Sequence, residues 1–177
     1  SAANLDFVIA KSKYSISLNG LEANDAIDVA SGQKEAINLI DARHPILGED
    51  GVPLSLQMGP DWTVLVITGP NTGGKTVAIK TVGLLAAMNQ SGIQIPAAAG
   101  SELPIFDGIY ADIGDQQSIT NSVSTFSSHI KNLNNILDNC SSQSLLLLDE
   151  IGSSTDPEEG SAIAKAVLEY LAENKIQ

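Results

Sequence analysis

Val64-Leu65-Val66-Ile67-Thr68-Gly69-Pro70-Asn71-Thr72-Gly73-Gly74-Lys75-Thr76 is the stretch on which the fold of this 177-residue chain turns. Residues 64–68 form an unbroken run of β-branched and apolar side chains, the pattern of a strand buried on both faces of a parallel sheet. The turn that follows has the form Gly-x4-Gly-Lys-Thr. Its glycines let the backbone curl so that successive N–H groups point inward at phosphate oxygens. A helix from Lys75 to about Gln90, closed by Gly92, presents its positive dipole end to the same anion. In such a loop Lys75 reaches the β- and γ-phosphates of a nucleotide and the Thr76 hydroxyl ligates Mg²⁺. Gly69, Pro70, Asn71, Thr72, Gly73, Gly74, Lys75 and Thr76 are therefore candidate ATP-binding residues.

A second apolar run, Leu145-Leu146-Leu147-Leu148, ends on Asp149-Glu150. An apolar strand ending in acidic residues is common. Downstream of a phosphate loop, it delivers Asp149 to the magnesium shell and leaves Glu150 to polarise the attacking water.

Outward from these two segments, the spacing predicts a helix over residues 5–18, with Leu5, Val8, Ile9 and Ile16 on one face and Asn19-Gly20 as its stop. Short strands are expected at 37–40, 54–56 and 109–111. Val123, Phe126, Ile130, Leu133 and Leu137 recur at helical steps and mark an amphipathic helix over 122–139. Asp156-Pro157-Glu158-Glu159 is a helix start: Asp at the N-cap, Pro at the first helical position, Glu at the third. That helix runs towards Asn174 and the chain stops at Gln177. A parallel α/β unit usually returns from such a helix to the sheet, so a C-terminally incomplete fragment is expected.

Composition bounds the reading. No apolar run approaches the roughly 18 residues of a membrane span. The lone Cys140 fits a reducing cytoplasm, and a net charge of −12 lacks the footprint of a nucleic-acid binder.

The phosphate loop, Ser124-Thr125-Phe126 and Asp149-Glu150-Ile151-Gly152 together resemble the ATPase domain of the MutS family. Within the family the chain is most similar to the recombination-suppressing MutS-two branch. The segments that carry this are Lys80-Thr81-Val82-Gly83-Leu84-Leu85, Gly100-Ser101-Glu102-Leu103-Pro104, Ala111-Asp112-Ile113-Gly114-Asp115, Ser127-Ser128-His129 and Thr155-Asp156-Pro157-x-Glu159-Gly160. The resemblance implies an α/β fold of the ABC-type P-loop class, a mostly parallel sheet flanked by helices. It implies residues 1–36 as the end of an upstream lever segment and loop, and 37–177 as a P-loop ATPase domain. It further implies head-to-tail homodimers in which Ser124 and Thr125 of one copy meet the γ-phosphate held by the other; by residue type alone, a helix cap is the favoured reading of these side chains. Gly152-Ser153-Ser154-Thr155 falls where such ATPases cross the dimer seam, and its Ser153-Ser154 departs from the usual Ala-Gly or Arg-Gly. Asp115-Gln116-Gln117 reads either as a nucleotide-sensing segment or as a solvated turn, and His44 either as structural or as lining the base. His129 lies off the apolar face of its helix.

The expected activity is ATP hydrolysis with Mg²⁺: Lys75 and Glu150 act at the reacting phosphate, and Thr76 and Asp149 hold the metal. The resemblance implies a cytoplasmic parent protein that binds branched DNA through other domains, restrains homologous recombination and in some members engages stalled ribosomes. The family's switch histidine and nuclease domain lie outside the sequence. Alternatives are a mismatch-repair MutS ATPase, a transporter or chromosome-organising ATPase, and a nucleotide-dependent dimerisation module without turnover.

Overall fold

A computed structural model describes residues 2–25, 37–59, 61–70, 73–114, 122–153 and 155–177. It forms two compact units, one of residues 1–61 and 80–106, the other of residues 62–79 and 107–177.

In the first unit, four strands make one sheet in the order β1-β4-β2-β3: β1 (Asn24–Asp25), β2 (Ile37–Ala42), β3 (Leu54–Met58) and β4 (Glu102–Leu103). β2 runs antiparallel to both β3 and β4, and only β1 and β4 are parallel. The β2–β3 register shifts between Leu39 and Ala42, where Asp41 takes a positive φ of 46°. Alternate residues Ile37 and Leu39 of β2 are buried, the pattern of a sheet with one face on a core. Leu85, Ala86, Ile95 and Leu103 are also buried in this unit.

α1 (Ala2–Ser17) forms but does not lie as its spacing predicts. Leu5, Phe7, Val8 and Ile16 are exposed, and Ser15 is its one buried residue. The helix docks by polar contacts instead. Lys11 Nζ donates to the Ser91 carbonyl at 2.8 Å, and the Ser15 hydroxyl accepts the Gln94 N–H at 3.1 Å.

In the second unit, β5 (Ile109–Asp112) and β6 (Leu145–Leu148) pair in parallel, with Ile109 opposite Leu145 and Asp112 opposite Leu148. α3 (Ser122–Asn139) connects them, and α4 (Pro157–Glu173) follows. The Asp156 side chain caps α4 by accepting the Glu158 N–H at 3.0 Å. The core gathers Leu133 of α3 with Val167, Leu171 and Ile176, and Val64, Leu146 and Leu148 pack against it. α2 (Lys75–Gln90) begins in this unit and ends in the first.

The structure corrects the expectation of an ABC-type, mostly parallel sheet flanked by helices. Among the described residues there are two small sheets, and the larger is mixed, with antiparallel pairing at β2–β3 and β2–β4. The run at 64–68, read as a strand buried on both faces, has no regular secondary structure, and Val66 is 58% exposed. The physical reason is pairing. A strand exists only when a neighbour takes its backbone hydrogen bonds, and no described strand bonds to this run. β5 occupies one edge of β6, and on the other edge the Leu146 N–H donates to the Gln177 carbonyl at 2.6 Å.

Candidate functional site

The glycine-rich loop leads directly into α2. Gly74 has a φ of 75°, a left-handed conformation in which a side chain is strained, and its carbonyl accepts the Ala78 N–H at 2.9 Å to start the helix. The Gly73 N–H closes a turn onto the Pro70 carbonyl at 2.9 Å. Gly69, Pro70, Gly73 and Gly74 are exposed, and Lys75 and Thr76 are half-buried at the head of the helix. Lys75 Nζ curls back to donate to the Gly69 carbonyl at 2.6 Å, so its ammonium lies over the loop. Asn71 and Thr72 fall outside the described residues.

Thr76 and Asp149 meet across a separation of 73 residues: the Thr76 hydroxyl donates to Asp149 Oδ2 at 2.6 Å. Asp149 follows β6 directly, half-buried, and its N–H continues the β5–β6 ladder onto the Asp112 carbonyl at 3.0 Å. The ladder stops there. Glu150 turns away with a φ of 51°, a left-handed conformation costing a residue with a Cβ about 1–2 kcal/mol. Its side chain is exposed, and its carbonyl accepts the Ser153 N–H at 3.0 Å. Behind this turn Gly152 packs on the backbone of Gly160 in the first turn of α4.

Thr76 and Asp149 offer hard oxygen donors, which suit Mg²⁺. Among the described residues no group of three or more His, Cys, Asp or Glu side chains converges. The donor set fits the metal.

Ser124 and Thr125 lie in the first turn of α3, and their side chains fall outside the described residues, as do Asp115, Gln116, Gln117 and Ser154. His44 belongs to the other unit, where its Nδ1 accepts the Ile46 N–H at 3.3 Å. Sequence reasoning gave His129 no partner. Its Nδ1 lies 3.2 Å from Asp112 Oδ2, in a shallow cleft shared with Gly114, Asp149, Glu150 and Gly152. The available signal was His129 and Asn132 at a spacing of three on one helix, with an acidic residue ending the strand before it.

A family model described as MutS domain V matches residues 65–177. The chain is 55% identical, over 96% of its length, to a protein named Endonuclease MutS2 from Caldicellulosiruptor bescii. To proteins of the same name from Geobacillus sp. and Alkaliphilus oremlandii it is 51% and 49% identical, over 94% and 96% of its length. In each case it spans 21% of the relative. No described helix is long and apolar enough to cross a membrane.

Proposed function

The chain belongs to the MutS domain V family, and on that premise we propose that it binds ATP with Mg²⁺ and hydrolyses it. The observation that carries the reading is the 2.6 Å contact between Thr76 and Asp149. It joins the end of the glycine-rich loop to the carboxylate end of β6, pairing two metal-type oxygens beside Lys75.

Each residue then has a part. Backbone N–H groups of the loop and the head of α2 cradle the phosphates. Lys75 leaves the Gly69 carbonyl to neutralise the β- and γ-phosphates. Thr76 and Asp149 hold the metal, which when bound draws charge from the phosphate oxygens. Glu150 accepts a hydrogen bond from the attacking water and aligns it with the γ-phosphorus, a task that needs a carboxylate held at a fixed backbone position. Ser124 and Thr125 contribute from a second copy in a head-to-tail dimer.

For the whole protein, relatives named Endonuclease MutS2 support a nuclease of the MutS family; action on branched DNA that restrains homologous recombination, with a ribosome as a second target, is what the motif resemblance implies. At −12 the chain repels a polyanion, so other segments make the DNA contact.

The test is an equilibrium titration with ATP, with and without Mg²⁺, on the parent and Lys75→Ala proteins. Charge-assisted hydrogen bonds contribute about 1.5–3 kcal/mol, so Lys75→Ala should weaken binding about 10- to 100-fold. Affinity equal to the parent's would remove Lys75 from the site. Phosphate release measured beside binding separates an ATPase from a module that binds nucleotide and dimerises without turnover.

A further inference from the structure

The cleft beside Asp149 and Glu150 holds a cluster to which the hydrolysis scheme gives no part. Asp112, the last residue of β5, uses both carboxylate oxygens towards α3: Oδ2 lies 3.2 Å from His129 Nδ1, and Oδ1 accepts from Asn132 Nδ2 at 2.8 Å. His129 and Asn132 are three residues apart and share one face of the helix. The main chain of Asp112 faces the other way, its carbonyl accepting the Asp149 N–H at 3.0 Å. One residue thus ties α3 by its side chain and the carboxylate end of β6 by its backbone.

α3 does not need this tie in order to dock. Leu133 and Ile136 are buried and hold the helix by its apolar face, whereas Asn132 is exposed and the His129 side chain is 32% exposed. What the cluster adds is direction. An apolar stripe lets a helix slide and roll by a fraction of a turn, while two hydrogen bonds to one carboxylate do not. The backbone from His129 to the first turn of α3 is continuous helix, so an anchor at His129 and Asn132 sets where that turn lies.

Resting on the reading of Thr76, Asp149 and Glu150 as a Mg²⁺–ATP site, we infer that Asp112, His129 and Asn132 form a positioning cluster. It aligns the first turn of α3 with the Asp149–Glu150 end of β6 and carries the state of that end into the helix. His129 is here a positioning residue: its side chain pairs with Asp112, and its effect on the reaction runs through that aspartate.

The experiment uses the intact protein with ATP and Mg²⁺ and compares the parent with His129→Ala, Asn132→Ala, Asp112→Ala and Asp112→Asn. Partners that orient a metal site commonly cost about 10- to 100-fold when removed, and a loss in that range is expected in kcat for His129→Ala and Asp112→Ala. The dissociation constant for ATP should stay near the parent's, because Lys75, Thr76 and the loop backbone are untouched. Asp112→Asn keeps an acceptor for Asn132 and should retain more turnover than Asp112→Ala. Asn132→Ala, at an exposed position, guards against a result that reflects only misfolding. Hydrogen exchange supplies a second readout: Mg²⁺–ATP should protect the first turn of α3 in the parent and not in His129→Ala.

Unchanged kcat in both His129→Ala and Asn132→Ala overturns the inference, and so does α3 protection that persists in His129→Ala. A kcat loss matched by an equal loss of ATP affinity also overturns it, since positioning then is not what was removed. A parent protein that binds no ATP would sink the hydrolysis reading itself and this inference with it. Binding and turnover that depend on Lys75 but not on His129 sink only the latter.

Discussion

Gly152 and Gly160 meet backbone against backbone: a Cβ built on either would overlap the carbonyl oxygen of the other. The loop after Glu150 is thereby pressed onto the first turn of α4, whose own start is fixed by the Asp156 cap. Two residues without side chains bring the acidic end of β6 and the next helix closer than any other pair would allow.

Helix glycines are ordinarily weak points, and replacing one by alanine stabilises by about 0.5–1 kcal/mol. At Gly160 the sign should reverse, because overpacking against the Gly152 carbonyl costs about 1–3 kcal/mol. Gly152→Ala should cost more, since its φ of 78° adds strain of about 1–2 kcal/mol. Gly48→Ala is the control: φ is 54° there, but nothing lies within 4 Å of the added Cβ. Urea unfolding midpoints should rank parent above Gly48→Ala above Gly152→Ala. A midpoint for Gly160→Ala at or above the parent's would show that the two backbones are not in contact.

The two carboxylates at the end of β6 should separate by function. Glu150→Gln keeps the metal donors, so ATP binding should persist while turnover falls by about 10²-fold, the usual loss on removing a well-placed polar group in a transition state. Asp149→Asn leaves an amide oxygen to accept the Thr76 hydroxyl but removes the carboxylate charge that would hold the metal, and ATP binding should become less dependent on magnesium. Single-turnover phosphate release and titrations at several Mg²⁺ concentrations measure both. Glu150→Gln turning over at the parent rate would eliminate Glu150 as the water-orienting group.

Acid should expose a different cluster. Hydroxyl donation from Ser141 first, then Ser144 at 2.6 Å, holds the Asp107 carboxyl below its ordinary value of 3.8. A lowered folded-state value means that the charged form is favoured in the native protein. Its contribution is present above the ordinary value and is lost as pH falls through the lowered one. Ser144→Ala should therefore move the Asp107 midpoint upward in a carboxyl NMR titration, and Asp107→Asn should flatten the loss of stability below about pH 4. An Asp107 midpoint identical in parent and Ser144→Ala would contradict the assigned cause.

The helices were legible because their signals are local. Asp156-Pro157 marks the start of α4, Gly92 with a φ of 69° follows the end of α2, and the steps from Val123 to Leu137 lie within α3. The sheet was less legible. Val64-Leu65-Val66-Ile67-Thr68 has a buried strand's composition, but whether it becomes one depends on partners elsewhere in the chain. The same holds for the candidate site. Lys75, Thr76 and Asp149 stand out by motif, whereas the pairing of Asp112 with His129 joins the end of a strand to the middle of a helix, and no local pattern announces it.

The run at 64–68, exposed from Leu65 onward, also governs how the protein behaves in solution. It is an uncharged, proline-free, β-prone segment with Val66 facing solvent, and no described strand caps its edge. Such segments act as templates for one another. Because the run leads straight into the glycine-rich loop, self-association there would occlude Gly69 and Lys75. Turbidity and loss of nucleotide binding should then rise together with concentration, and a gatekeeper charge, Val66→Lys, should suppress both in light-scattering and titration experiments.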